Sequence, residues 1–121
     1  DNIVALSHLA NALFRLQRYE EAAAAFEQVL RVDPALENGY YNLGLCYYSL
    51  EKWDAAVTTW LTALACSPRN PSVHKGLAVA YWKRGDYEQA RASIEQCRAL
   101  GVAVDPEFLA VLEADEQAQA Q

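Results

Sequence analysis

The chain is 121 residues long, 53% hydrophobic and 21% charged, with a formal net charge of −6; that is enough chain for one domain with a sizeable buried core. The acidic balance argues against a nucleic-acid partner, because phosphates need a concentrated cationic face. No apolar run is long enough to cross a bilayer, so membrane insertion is not expected.

The first element in chain order is a helix pair over about residues 3–36, and it is copied twice. Leu9 recurs as Leu43 and Leu77, Tyr19 as Trp53 and Tyr87, Ala22 as Ala56 and Ala90, Phe26 as Trp60 and Ile94, and Pro34 as Pro68. The period is 34 residues, and a fixed period of this length marks one supersecondary unit, copied and stacked. The second copy covers about 37–70. Its helix A is expected from about Glu37 to Leu50 and its helix B from about Trp53 to Cys66. Tyr40, Leu43, Gly44 and Tyr47 share one face of helix A, opposite a stripe of Ala56, Trp60 and Ala63 on helix B. Small residues stand where the helices must approach: Ala10, Gly44 and Ala78 on the A helices, Ala22, Ala56 and Ala90 on the B helices. Gly44 costs roughly 0.5–1 kcal/mol in mid-helix relative to alanine, and close packing is the expected reason for it.

The third copy covers about 71–104. Asn70-Pro71 reads as an N-cap followed by proline at the first helical position. Gly85-Asp86 is expected to end one helix and cap the next, with Gln89 completing a capping box. Gly101 stops the last B helix, and Asp105-Pro106 starts a terminal helix over about 105–119. Phe108, Leu109 and Leu112 share a side of that helix and are expected to cover the apolar end of the stack. Glu113 to Gln121 is polar and acidic and is expected to fray.

These residues resemble the tetratricopeptide repeat. The second copy carries the pattern in Tyr40, Leu43, Gly44, Tyr47, Trp53, Ala56, Trp60, Ala63 and Pro68. The first carries it in Leu6, Leu9, Ala10, Leu13, Tyr19, Ala22, Phe26 and Pro34. The third keeps Leu77, Ala78, Tyr81, Tyr87 and Ala90, and departs at His74, Ile94, Cys97 and Val102. The resemblance implies an all-α fold: a right-handed superhelical solenoid of antiparallel helix pairs, seven helices in all, forming one domain over 1–121. It also implies a concave groove lined by the A helices, and a role in protein–protein interaction as an adaptor or scaffold.

The resemblance places Val4, Ser7, His8, Asn11, Phe14 and Arg15 of the first copy in that groove. In the second copy it places Asn38, Tyr41, Asn42, Leu45, Tyr48 and Ser49 there, and in the third Ser72, Lys75, Gly76, Val79, Trp82 and Lys83. Arg15, Lys75 and Lys83 give this set a charge of +3 with no acid, leaving −9 on the rest of the chain. A cationic groove in an acidic protein favours an anionic peptide or protein segment and repels mismatched ones. Phe14, Tyr48 and Trp82 recur at the repeat spacing as one aromatic wall residue per copy, offering contact area at little rotamer cost. Asn11 and Asn42 could hold a peptide backbone, since an amide both donates and accepts. Chaperone-binding members of the family grip a terminal carboxylate with Lys, Asn, Asn, Lys and Arg. The matching places here are Ser7, Asn11, Asn42, Ser72 and Gly76, with every cation missing and Lys75 one residue away. Heat-shock chaperone tails are therefore not the expected ligand.

Nothing points to catalysis, a cofactor or a metal. His8 and His74 lie in different A helices, and His74 takes a place where the motif has a large apolar ring. No nucleophile–base set, phosphate loop or metal-spaced cluster appears. Carboxylate pairs such as Glu20-Glu21 and Asp115-Glu116 read as solvated surface. Cys46, Cys66 and Cys97 are odd in number and far apart, and are expected as small core residues. The chain begins at Asp1 and lacks Met, so it is expected to be a piece of a longer protein or a processed product. A soluble protein is expected, in the cytoplasm or, if an upstream signal was removed, the periplasm. The competing reading is a structural module that self-associates into a homo-oligomer through its end or convex face. Ile3 and Val4 of the uncapped first helix would be its adhesive patch.

Overall fold

The structure, a computed structural model, describes residues 2–120. Asp1 and Gln121, the ends of the expected 1–121 domain, lie outside the described residues. Seven α-helices and no strand occur among them: α1 (Asn2–Arg15), α2 (Tyr19–Val32), α3 (Glu37–Ser49), α4 (Trp53–Cys66), α5 (Pro71–Arg84), α6 (Tyr87–Ala99) and α7 (Pro106–Ala120). They gather into two compact units, Asp1–Pro68 and Arg69–Gln121. The first unit holds two helix pairs. The second holds the third pair and α7.

In the first unit α1 packs on α2, α2 on α3 and α3 on α4. The contacts run through the small residues the repeat supplies: Ala10, Ala22 and Ala56 are fully buried. The mid-helix glycine has its reason in Trp60, which is 0% exposed. A Cβ on residue 44 would land on the Trp60 indole, and the indole N–H donates to the Tyr41 carbonyl at 3.1 Å. A second tie joins α2 to α3, where the Tyr47 hydroxyl donates to Glu27 Oε1. Burial, then the Glu27 carboxylate, pushes the Tyr47 phenol up to about 12, and burial pushes the neighbouring Cys46 thiol up to about 11.

The turn inside each pair keeps one geometry. Gln17, Glu51 and Gly85 stand 34 residues apart and share a left-handed backbone, with φ of 63°, 59° and 84°. The residue after each donates its backbone N–H five residues back: Arg18 to Leu13, Lys52 to Tyr47 and Asp86 to Tyr81, each at 2.9 Å. This closes the helix end as a Schellman-type turn. Glycine occupies the site only in the third copy, and a side chain in this conformation costs on the order of 1 kcal/mol. The same hydrogen bond overturns the capping box expected at Asp86 and Gln89. The Asp86 N–H is already taken by Tyr81, so Gln89 has no donor to reach, and the Asp86 side chain caps nothing. Its Oδ2 pairs with Arg84 at 2.9 Å instead. At Asn70 the expectation holds: the side chain accepts from the N–H groups of Ser72 and Val73 at 3.0 and 3.4 Å, ahead of Pro71.

Three further expectations are corrected. Leu9 matches the repeat register but is 50% exposed, whereas Leu43 at the same register is 7% exposed. The difference is that α2 packs against α3, while no helix precedes α1 among the described residues. Cys66, last residue of α4, is exposed; Cys46 and Cys97 are buried as expected, and all three thiols are free. The acidic tail does not fray within the described residues, since α7 continues to Ala120. Leu112 is buried in the second unit with Phe108 and Leu109 packed beside it. Beyond that apolar side, the Trp82 indole N–H donates to Asp115 Oδ2 at 2.7 Å, and Arg91 Nε donates to Glu116 Oε1 at 2.8 Å.

Two substitutions test this packing. Helix propensity alone favours alanine over glycine by about 1 kcal/mol, but Gly44→Ala must displace a buried, rigid indole, and overpacking costs about 1–3 kcal/mol. Urea unfolding should therefore show Gly44→Ala less stable than the parent; a more stable variant would contradict the contact. Asp115→Ala strips the acceptor from a half-buried indole N–H, worth about 1–2 kcal/mol. Amide hydrogen exchange should then quicken selectively along α7, and unchanged protection there would contradict the tie.

Candidate binding surface on the A helices

In the first unit the expected contact residues lie on α1 and α3, and none of them is buried. His8, Asn11, Arg15 and Asn38 are exposed; Ser7, Phe14, Tyr41, Asn42, Leu45 and Tyr48 are half-buried. The placement follows from the repeat: α1 and α3 turn Ala10, Leu13, Leu43 and Cys46 inward, which leaves these residues on the remaining faces. The rings have structural neighbours. Phe14 meets Tyr19 edge-on, with centroids 5.3 Å apart, and Tyr48 meets Trp53 edge-on at 5.2 Å. Both pairs brace a turn between helices A and B. Tyr48 also lies 6.0 Å from Trp60, Tyr41 stacks on Trp60 at 6.5 Å, and burial raises the Tyr48 phenol above its ordinary value. Each expected wall ring thus spends an edge or a face on packing.

A hollow of about 370 Å³ opens beside α1, lined by Ile3, Val4, Ser7, His8 and Asn11 together with Asp33 and Leu36 of the α2–α3 connection. Asp33 has a local task, its Oδ1 accepting from the Ala35 N–H at 3.2 Å.

In the second unit Lys75 and Lys83 of α5 are exposed, and Val79 and Trp82 are half-buried. Trp82 is held from the α7 side, edge-on to Phe108 at 5.5 Å in addition to its bond to Asp115. Lys83 Nζ lies 4.6 Å from the Trp82 ring centroid. A second hollow, about 260 Å³, is lined by Lys75, Ala78, Val79, Cys97, Val104, Asp105 and Phe108. Its floor is uncharged: burial raises the Cys97 thiol, with Lys75 pulling the other way. Asp105 Oδ1 is occupied by the Glu107 N–H at 3.0 Å, which starts α7.

The two hollows overlap in the repeat register at three of their seven lining positions. Ser7 and Lys75, Asn11 and Val79, and Leu36 and Val104 are each 68 residues apart, which is two periods. The expected groove set includes Val4, Ser7, His8 and Asn11 of the first hollow and Lys75 and Val79 of the second; it omits Asp33, Leu36, Val104 and Asp105 of the connections, Ala78 and Cys97 of α5 and α6, and Phe108 of α7. The 34-residue register runs through the connections as well as the helices, and would have indicated Leu36 and Val104. His8 is exposed and His74 is buried. Among the described residues no group of three or more His, Cys, Asp or Glu side chains could hold a metal ion, and no helix is long and apolar enough to cross a membrane.

Comparison with known proteins agrees with the repeat reading. The family model described as "Tetratricopeptide repeat" matches residues 8–72 and again 41–99. The general transcriptional corepressor trfA of Dictyostelium discoideum is 28% identical over 92 residues, which is 74% of this chain and 6% of that protein. The photosystem I assembly protein Ycf3 of Prochlorococcus marinus is 29% identical over 82 residues, 65% of this chain and 47% of that one. The chain thus spans less than half the length of either curated relative. Among solved structures, MamA from AMB-1 superposes with a TM-score of 0.79 at 25% identity, covering 84% of this chain and 60% of that one. The Yersinia enterocolitica type III secretion chaperone SycD, solved with a peptide of the translocator YopD, superposes with a TM-score of 0.80 at 20% identity, covering 98% and 92%. The helix-pair architecture, the 34-residue register and the family match over more than half the chain agree, and the chain belongs to the tetratricopeptide repeat family.

Proposed function

We propose that this chain is a non-catalytic protein-interaction module that binds a peptide or protein segment on the outward faces of its A helices, α1, α3 and α5, with a preference for anionic segments. The observation that carries this reading is the repeated hollow. The same register opens beside α1 in one unit and beside α5 in the other, and in each an A-helix polar side chain stands at the rim, Ser7 and His8 in the first and Lys75 in the second. The charge preference rests on Arg15, Lys75 and Lys83, all exposed in a chain of net charge −6. Exposed cations on the A helices of an acidic chain speed the approach of an anionic segment and disfavour others. SycD, a neighbour in fold, was solved with a bound peptide, and the relatives are named as a corepressor and an assembly protein; both fit a binding role.

One observation favours a second reading, self-association through the first helix. Leu9 of α1 and Leu16, the first residue after it, are 50% and 66% exposed.

Affinity capture from lysate of the source cells separates the two. The intact chain is run beside an Arg15→Glu/Lys75→Glu double variant, whose substituted side chains are exposed and outside the core. The A-helix reading expects a partner held by the intact chain and lost, by about tenfold or more in retained amount, from the double variant. Equal capture by both would contradict it. Light scattering that shows a dimer abolished by Leu9→Ser would favour the second reading.

A further inference from the structure

The hollow of the second unit differs from the other openings in a way that specifies what it takes. The opening beside α1 mixes Ile3, Val4 and Leu36 with four polar side chains, Ser7, His8, Asn11 and Asp33. The opening between α6 and α7 is rimmed by Arg91 and Arg98, which are already paired with Glu116 and Glu95. The opening beside α5 is apolar within: Ala78 and Cys97 are buried, and Val79, Val104 and Phe108 are half-buried walls. At its rim Lys75 is exposed and makes no ion pair among the described residues. Arg84, Arg91 and Arg98 of the same unit each have a carboxylate partner.

Size narrows the occupant. A volume of about 260 Å³ falls below the roughly 300–1,000 Å³ typical of sites that enclose a whole small molecule. It suits one large apolar side chain that enters while its backbone stays outside. An ammonium without a partner at the rim favours a negative charge on the residue next to that side chain. Asp105, the one acid in the lining, is turned to the start of α7 by its hydrogen bond to the Glu107 N–H.

We infer that this hollow is a socket for a single branched aliphatic or aromatic side chain of a protein segment, with an adjacent carboxylate of the segment resting on Lys75. The inference rests on the proposed binding role and names the short pattern that role would read in the second unit: a large apolar residue next to an acid. Phe108 belongs to the terminal helix, so α7 both covers the apolar end of the third repeat and supplies a wall of the socket.

Blocked dipeptides test this directly on the full chain, labelled with ¹⁵N and followed by amide chemical shifts. N-acetyl-Leu-Asp-amide should shift the amides of Ala78, Val79, Cys97, Val104 and Phe108. N-acetyl-Leu-Asn-amide and N-acetyl-Gly-Asp-amide should bind the same place about fivefold or more weakly, the one lacking the charge and the other the side chain. Lys75→Glu should remove the preference for Asp over Asn. Val79→Trp, which fills the socket from a half-buried wall, should abolish the shifts, with thermal unfolding confirming that each variant is folded. Shifts confined to α1 or α3, equal binding of all three peptides, or no shift at saturating peptide would each overturn the socket. The wider binding role is decided separately, by capture with the double charge variant.

Discussion

The Trp60 indole lies where a side chain on residue 44 would stand, and most of the first unit follows from that contact. Because α3 carries only hydrogen at this point, α4 can lay a fully buried indole across it. The indole N–H then finds an acceptor one turn away in the Tyr41 carbonyl. A buried donor without such a partner would cost about 1–3 kcal/mol. The first pair meets the same need with Ala10 and Ala22, the third with Ala78 and Ala90, all buried. Close approach at small residues lets a chain of this size build its core from pairs of 13- and 14-residue helices, too short to be stable alone.

That economy bears on function. The packing contacts use the small residues and the ring stripe of each pair, so the outward positions of the A helices are not fixed by the core. The positions that the family resemblance places outward carry Arg15, Lys75 and Lys83 and no acid in a chain of net charge −6. The aromatic positions are a compromise between the two demands. Phe14 and Tyr48 each give an edge to the turn that follows, and Trp82 gives its N–H to Asp115 and meets Phe108 edge-on. On the proposed function, binding at such rings would use what packing has left: side-chain-sized hollows beside them and not a flat aromatic wall.

Much of this was legible because the period repeats its own punctuation. Helix B of the second copy was expected over Trp53–Cys66 and runs over those residues, and the cap at Asn70-Pro71 forms as its chemistry requires. The misses have local causes that periodicity does not carry. The capping box at Asp86 fails because its N–H was already committed to the preceding turn. Glu113 onward reads as a solvated tail, because an acid that meets an indole N–H two helices earlier reads like any surface acid. Leu9 fits the register yet lies open, since register says which face is apolar and not what covers it. The hollows are half legible: Ser7, Asn11, Lys75 and Val79 follow the repeat face, while the other side comes from the connections and, in the second unit, from Phe108 of α7.

The central claim is that ligands are read by the outward faces of the A helices. Hydrogen–deuterium exchange of the chain, alone and saturated with its captured partner, tests it most directly. The account predicts added protection in α1, α3 and α5 and in the connections at residues 33–36 and 102–105, with α2, α4 and α6 little changed. Protection confined to the B helices, or to Leu9 of α1 and Leu16 just after it, would contradict it.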